Sequence, residues 1–111
     1  MSDEEPRATV VLTTVPVDLD AEALARTLVE ERLAACVNVL PRMRSIYRWN
    51  GDVESASERQ LVIKTSAARV GGLRERLHTL HPYDVPEFLV LDVADGSDAY
   101  LRWLREQTDR P

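Results

Sequence analysis

Apolar residues recur in the first third of the chain with two spacings, one typical of strands and one typical of helices. Residues 9–15 form a β-branched run that predicts a buried strand, which Pro16 ends. The next segment predicts an amphipathic helix that reaches about Leu33 and is capped by Asp18 or Asp20. Its apolar residues stand at i, i+3, i+4 and i+7: Ala21, Leu24, Ala25 and Leu28.

The middle of the chain predicts a long β-hairpin. Residues 36–49 have strand composition apart from Pro41, which fits only an edge or a bulge. Asn50 and Gly51 suit a type I′ turn, because both central residues of that turn need positive φ. A return strand over residues 52–65 follows, and its polar first half predicts an arm that extends about 20 Å beyond the core. Four residues share one face of the arm: Met43, Ser45, Tyr47 and Trp49.

A second helix is predicted after Thr65 or Ser66, either of which can cap it. It ends at His81, because a proline disfavours helical geometry in the residue before it. Two adjacent glycines near its start lower its helix propensity. One apolar stripe runs along it: Val70, Leu73, Leu77 and Leu80.

The remaining elements complete a β-α-β-β-α-β order with an additional helix. Residues 82–87 predict a loop, residues 88–93 a fourth strand, and Ser97 the cap of a final helix with the apolar stripe Tyr100, Trp103 and Leu104. This order predicts an α+β, ferredoxin-like split βαβ fold, in which two helices cover one face of a four-stranded antiparallel sheet of order 4-1-3-2. A half-barrel is the main alternative.

The predicted sheet leaves its second strand on an edge, and this strand carries Tyr47 and Trp49. An exposed, long, apolar edge promotes aggregation unless a partner covers it. A closed homo-oligomer would cover it. Aromatic side chains at such an edge are more often anchors of an interface than walls of a ligand site, although both interpretations stay open.

Composition limits the possible function classes. The 111 residues carry 14 basic and 19 acidic side chains, a net charge of −5, and no basic block, which argues against nucleic acid as a partner. The longest uncharged stretch, residues 8–17, is too short for a membrane span of about 20 residues. The single cysteine and the acidic start of the chain predict a cytoplasmic protein. We expect one domain over residues 8–107, a disordered tail over residues 1–7 and a frayed end over residues 108–111.

The sequence lacks the glycine-rich phosphate loops, the nucleophile elbow and the common zinc motifs, so we expect no enzyme. Cys36 and His81 are the two soft or borderline donors that could meet, and thiolate with imidazole selects copper or zinc. Three carboxylates could complete such a site more weakly: Glu58, Asp84 and Glu87. The alternatives are that Cys36 is a small buried hydrophobe and that His81 only ends a helix.

Lys64 ends a predicted buried strand, where its ammonium group needs an acidic partner or an anionic ligand. Glu58 and Glu87 are the candidate partners in a structural ion pair. If the ligand is instead a small anion, Lys64 and Arg48 would hold it while the aromatic side chains form its walls.

Five segments resemble the CutA family, the divalent-cation tolerance proteins, over about residues 9–104. They are Leu33-Ala-Ala-Cys-Val-Asn38, Ser45-Ile-Tyr-Arg-Trp49 with Gly51, Ile63-Lys-Thr65, His81-Pro-Tyr-Asp-Val-Pro-Glu87 and Tyr100-Leu-Arg-Trp-Leu104. The resemblance implies a ferredoxin-like fold, a cytoplasmic homotrimer assembled through the long hairpin, and tolerance of divalent metals, with copper(II) as the first candidate ligand.

The resemblance also assigns individual residues. Cys36 and His81 match the candidate metal positions, whereas Thr13 and Leu80 stand where copper-binding members have a cysteine and a second histidine. Trp103 belongs with Tyr47 and Trp49 to the expected trimer interface. The positions that line the cleft between subunits are matched by Tyr47, Trp49, Glu58, Lys64, Tyr83 and Glu87. Two alternatives stay open: a small-molecule module that resembles the PII signalling proteins and binds an anion, and a purely structural trimeric scaffold.

Overall fold

The computed structural model describes residues 7–109, which form one mixed α+β unit with an antiparallel sheet. The strands are β1 (Ala8–Pro16), β2 (Cys36–Val39), β3 (Met43–Trp49), β4 (Asp52–Ser66) and β5 (Leu89–Asp92). The helices are α1 (Ala21–Glu30), α2 (Val70–Leu80) and α3 (Asp98–Thr108), and a 3-10 turn (Ala67–Arg69) leads into α2.

The strand order is β2-β4-β1-β5, and β3 pairs with the part of β4 that β2 does not reach. This agrees with the predicted order, with one difference in the second strand. Residues 40–42 divide it into β2 and β3, so the sheet has five strands and not four. The division falls at Pro41, which has no N–H to donate to a ladder. Its neighbour Leu40 still donates its N–H to the Gln60 carbonyl at 3.0 Å.

The helices α1 and α2 cover one face of the sheet. Val11 and Val15 of β1 and Ile63 of β4 are fully buried against Leu28 of α1 and Leu73 of α2 in one cluster. Because side chains alternate along a strand, the even-numbered residues of β1 and β4 point to the other face. We call this other side of the sheet the open face.

Helix α3 covers one end of the open face. Ala8 and Ala35 pack there against Leu104 of α3. Farther along, Leu12 pairs with Val62 on one side and with Leu89 on the other. Directly paired residues of an antiparallel ladder share a face. Leu12, Val62 and Leu89 therefore form an apolar patch on the open face beyond α3.

The hairpin β3–β4 forms the predicted arm. Asn50 and Gly51 have φ values of 51° and 85°, which fit the two left-handed positions of the expected turn. Most of β3 is exposed, whereas the second half of β4 is buried in the core. The arm makes the molecule elongated, with principal extents of 51 × 26 × 23 Å.

Helix α1 ends three residues earlier than predicted. It begins at the expected cap, since the Asp20 carboxylate accepts the Ala23 N–H at 3.0 Å. It ends at Glu30, and Arg32 adopts a left-handed φ of 59°. This backbone turn lets the Leu33 N–H reach the Leu28 carbonyl at 3.0 Å. Leu33 is buried as its hydrophobicity predicts, but it lies outside the helix.

The start of α2 and the bounds of β5 also differ from the predictions. Ser66 precedes the 3-10 turn without making a side-chain cap, and the α-helix begins at Val70. The prediction that α2 ends before His81 is confirmed. Strand β5 is limited to Leu89–Asp92 because it pairs only with residues 9–12 of β1.

Helix α3 corrects two predictions about the end of the chain. Ser97 caps it as expected, but Leu104 and Thr108 form its buried face, and Tyr100 and Trp103 are exposed. Thr108 is not frayed. It is the last residue of α3 and its hydroxyl donates to Ser66 Oγ at 3.1 Å. A helix that lies flat on the end of a sheet buries only a narrow stripe, which here excludes the two aromatic rings.

The predicted N-terminal tail lies outside the described residues except for Arg7, as do the last two residues of the predicted frayed end. The Arg7 carbonyl accepts the Ala67 N–H at 2.6 Å, so Arg7 joins the folded unit. Within residues 7–109, no helix combines the length and apolar composition that a membrane crossing requires.

Thr13 offers a test of how the core is packed. Its side chain is fully buried, and among the described residues its hydroxyl has no hydrogen-bond partner. We expect Thr13→Val to raise the free energy of unfolding by about 1 kcal/mol, because a buried hydroxyl without a partner is replaced by a methyl group of the same shape. Thr9→Val is the matched control, since the Thr9 hydroxyl donates to the Thr65 carbonyl at 3.0 Å. If urea unfolding shows that Thr13→Val is as destabilising as Thr9→Val, the Thr13 hydroxyl has a hydrogen-bond partner after all.

Candidate functional site

A cleft of about 720 Å³ lies between the arm and the loop that follows α2. The arm contributes Tyr47 and Trp49, β4 contributes Glu58, and the loop contributes Tyr83 and Glu87. Met43 of β3 pairs directly with Glu58, so the residues at positions 43, 45, 47 and 49 point to the same face as Glu58. The cleft is therefore continuous with the open face. Its other lining residues are Thr14, Ser45, Ile46, Pro82, Asp84, Val85 and Pro86.

The floor of the cleft is a tyrosine–carboxylate pair. Glu58 is only 6% exposed, and its Oε2 accepts a hydrogen bond from the Tyr83 hydroxyl at 2.8 Å. Burial raises the pKa of Tyr83 well above its ordinary value, and the hydrogen bond to Glu58 and the negative charge of Glu58 raise this pKa further. The neutral phenol is therefore the form that holds Glu58.

A second hydrogen bond ties the loop to the sheet. Gln60 Nε2 donates to Glu87 Oε2 at 3.3 Å. Glu58 and Gln60 are two positions apart on β4 and share its open face. Neighbouring side chains of one strand thus hold the two ends of the loop 83–87.

His81 positions this loop and has no free ring nitrogen. Its Nε2 donates to the Thr14 carbonyl at 2.7 Å, and its Nδ1 accepts the Tyr83 N–H at 3.1 Å. One neutral tautomer satisfies both bonds. A metal ligand must offer a ring nitrogen lone pair, so His81 binds no metal in this arrangement. The helix-stop interpretation accounts for His81, and its ring also contacts the Tyr83 ring at a centroid distance of 4.8 Å.

Cys36 and His81 do not meet within one chain. Cys36 pairs with Lys64, which in turn pairs with Val10. His81 contacts the same strand four residues farther along, at Thr14. Four residues span about 13 Å at 3.3 Å per residue, and β2 lies two strands away from β1. Residues 7–109 contain no group of three or more histidine, cysteine, aspartate or glutamate side chains that could hold a metal ion.

Thr13 and Leu80 do not belong to a metal site at the surface either. Thr13 is fully buried on the helix-covered face of β1. Leu80 is partly buried against the main core cluster. Both positions serve packing in the interior of the fold.

The two cationic residues predicted for an anion site lie outside the cleft. Lys64 is six residues from Glu58 on β4, a distance of about 20 Å, so the predicted ion pair with Glu58 is wrong. Arg48 points to the opposite face of β3 from Trp49, and it donates to the Gly51 carbonyl at 3.3 Å. Among residues 7–109, the lining includes three carboxylates, Glu58, Asp84 and Glu87, and no lysine, arginine or histidine.

The three expected interface aromatics are all partly accessible. Tyr47, Trp49 and Trp103 are 42%, 49% and 40% exposed. Tyr47 and Trp49 lie on the arm, whereas Trp103 stacks with Tyr100 on α3 at a centroid distance of 5.4 Å. Trp103 is not among the residues that line the cleft.

Two residues that position the cleft were not predicted from the sequence. Thr14 supplies the carbonyl that orients His81, and Gln60 holds Glu87. Both lie on the open face, a position that the alternation of β1 and β4 indicates once the register is known. The register depends on pairing between distant residues, so the sequence carried no local signal for it.

Comparisons with known proteins agree on one family. Residues 9–107 match the model of the CutA1 divalent ion tolerance protein family. The chain is 52% identical to the divalent-cation tolerance protein CutA of Thermus thermophilus, over 89% of this chain and 96% of that protein. It is 46% identical to the chloroplastic protein CutA of Arabidopsis thaliana, over 89% of this chain and about half (54%) of that protein. The solved structure of the divalent cation tolerance protein from Thermus thermophilus superposes with a TM-score of 0.88 at 50% identity, covering 92% of this chain and 99% of the other.

The Tyr83–Glu58 bond predicts a distinct alkaline titration. The folded protein holds the Tyr83 proton above the ordinary tyrosine pKa of about 10, so this bond contributes stability below pH 10 and loses its contribution as the pH rises further. We expect Tyr83→Phe to make the alkaline decline in the free energy of unfolding less steep. It should also remove the component at highest pH from the phenolate absorbance titration.

Tyr100→Phe is the matched control, because Tyr100 lies on α3 outside the cleft. It should leave the component at highest pH in place. If Tyr83→Phe and Tyr100→Phe give the same titration curve, the proposed hydrogen bond to Glu58 is wrong.

Proposed function

Since the chain belongs to the family of CutA1 divalent ion tolerance proteins, we propose that it works as a cytoplasmic homotrimer of ferredoxin-like subunits that binds a divalent cation in the cleft. Copper(II) is the first candidate cation. The proposal includes no catalytic step. It assigns to the protein a role in the response to metal ions.

The acidic lining of the cleft carries this proposal. Glu58, Asp84 and Glu87 all line it, and no cationic side chain from the described part of the chain, residues 7–109, opposes their charge. Carboxylates are hard oxygen donors that divalent cations accept. Glu58 is buried at the bottom of this acidic lining. Little water reaches its carboxylate, so its charge is poorly screened.

The donors of one subunit do not form a complete metal site. No group of three acidic, histidine or cysteine side chains comes together within residues 7–109, and the ring nitrogens of His81 are occupied by hydrogen bonds. A cation in the cleft therefore needs ligands from a second copy of the chain or from water. Metal binding should then depend on assembly.

The open face supports assembly of several copies. Leu89 and Leu91 are 54% and 49% exposed there, beside Leu12 and Val62 of the neighbouring strands. Exposed apolar side chains that cluster in this way are typical of interfaces between protein chains. A second copy of the same face would remove it from water.

A small-molecule binding module is the second candidate function, and the aromatic wall of the cleft favours it. Tyr47, Trp49 and Tyr83 all line the cleft. Pockets for small molecules combine such apolar rings with a few polar groups. The anionic ligand expected from the sequence is disfavoured, because Lys64 and Arg48 are absent from the lining.

Calorimetric titration of the reduced protein with Cu²⁺ and Zn²⁺ tests the metal proposal. We expect saturable binding that Glu58→Gln weakens by about tenfold, since one charged ligand is lost. The conservative change keeps an acceptor for the Tyr83 hydroxyl. Cys36→Ser, at the far end of the sheet, should leave the affinity unchanged. Weak, equal heats from all three proteins would reject the metal site, and loss of binding only in Cys36→Ser would move it away from the cleft.

Light scattering tests the assembly. The wild-type protein should have about three times the chain mass of 12.6 kDa. Leu91→Glu places a charge on the open face and should reduce this mass, because an unpaired buried charge is costly. Val29→Glu is the control, since Val29 is exposed on α1 on the helix-covered side. A monomeric wild type, or equal effects of the two variants, would contradict assembly through the open face.

A further inference from the structure

The cleft combines negative charge with exposed aromatic rings, and residues 7–109 contribute no positive group to its lining. We propose that its ligand is an organic cation, a small molecule that carries an ammonium or guanidinium group. This inference rests on the second candidate function, in which the cleft binds a small molecule, and it assigns the chemical class of that molecule.

The first argument is the sign of the charge. The described residues contribute three carboxylates and no cationic side chain to the lining. Other acids extend the same sign along the arm, since Glu54 pairs with Tyr47 and Asp52 with Trp49 on the same face. An anion would meet repulsion throughout the cleft, whereas a cation is attracted at every part of its path.

The second argument is the aromatic wall. Trp49 is 49% exposed and lines the cleft together with Tyr47 and Tyr83. The face of an indole or phenol ring attracts an ammonium or guanidinium group, and indole attracts it most strongly. A metal ion gains little from such rings, because it coordinates oxygen, nitrogen or sulfur atoms directly.

The third argument is the spacing of the acids. The three carboxylates line one cleft but do not come together as a metal-binding group within residues 7–109. A volume of about 720 Å³ is large for a single ion and falls in the range of small-molecule sites. A cation with an apolar stem can contact one carboxylate and one ring that are several ångströms apart.

Glu58 is the anchor that this ligand would contact. Its carboxylate is 6% exposed and lies at the floor, where Tyr83 fixes one oxygen at 2.8 Å. A charge-assisted hydrogen bond to a fixed, poorly hydrated carboxylate is stronger than one to a mobile surface group. Asp84 and Glu87 line the cleft on the loop side.

A guanidinium group from a second copy of this chain has the same chemistry as the free ligand. Arg44 is held within its own arm, since it donates to Ser57 Oγ at 2.7 Å and to Ser55 Oγ at 2.6 Å. Arg48 also bonds within its own hairpin. These bonds favour a free small molecule as the source of the cation, and the experiment below distinguishes the two sources.

Titration with n-butylguanidinium tests the inference. The protein is treated with EDTA and carries Trp103→Phe, which leaves Trp49 as its only tryptophan. We expect a saturable change in Trp49 fluorescence. The neutral isostere n-butylurea should bind at least about tenfold more weakly, because it lacks the charge that the rings and Glu58 attract. The anion n-butanesulfonate should not bind.

Three variants locate the site. Glu58→Gln should weaken n-butylguanidinium binding by about tenfold, and Trp49→Leu, measured by calorimetry, should weaken it as well. Glu30→Gln is the matched control, since Glu30 is an exposed carboxylate at the end of α1. If Glu30→Gln weakens binding as much as Glu58→Gln does, the probe binds the acidic surface in general and the inference fails.

The remaining outcomes distinguish a failure of this inference from a failure of the proposed functions. Equal affinity for n-butylguanidinium and n-butylurea would reject the cation while keeping a small-molecule cleft. Binding of no probe would reject the small-molecule function as well, and the separate metal titration would be unaffected. Tighter binding of the probe by Arg44→Gln or Arg48→Gln would show that a second copy's arginine occupies the cleft, which would overturn a free ligand.

Discussion

The pairing of β4 with three other strands is the constraint on which the rest of the structure depends. Its 15 residues pair with β3 at one end and with β2 at the other, and they pair with β1 along nine consecutive positions. One strand therefore belongs both to the core and to the arm. A one-residue slip would turn Glu58 away from the cleft and Ile63 out of the core together. The burial of Leu61 and Ile63 thus fixes which side chains of β4 point to the open face.

The arm has faces of opposite charge as a result of this alternation. Arg44 and Arg48 point to one side, whereas Glu54 and Glu58 point to the other. In the sequence these acidic and basic residues are interspersed, and neither sign of charge dominates the segment. In the structure the acidic side meets the loop after α2 and becomes the wall of the cleft. The chemistry of the site is therefore a property of the strand pairing more than of local composition.

Local signals predicted most of the fold. The Asp20 cap, the turn at Asn50 and Gly51 and the end of α2 before Pro82 each depend on the backbone preferences of a few residues, and the structure has all three. The order of the strands followed from the order of the elements. The end of α1 and the buried face of α3 differed from prediction, because tertiary packing decides them.

The candidate site was harder to predict because its residues are distant in sequence. Glu58, Tyr83 and Glu87 were named as site residues, and the structure brings them together in the cleft. Cys36 and Lys64 were grouped with them on the basis of residue chemistry and family resemblance, yet the register places both near the opposite end of the sheet. Residue type alone did not indicate that His81 uses both of its ring nitrogens for backbone contacts.

The pairing of Ala8 with Ser66 has a consequence for how the chain folds. Contacts between residues that far apart give a high contact order, and such topologies fold slowly because a long loop must close before the contacts stabilise it. The hairpin around Asn50 is local and forms within about microseconds. During synthesis it therefore precedes the central sheet, and the core side chains Leu61 and Ile63 of β4 face water until β1 and β4 have met. Charged side chains such as Arg44 and Glu54 on this early hairpin keep it soluble during that interval.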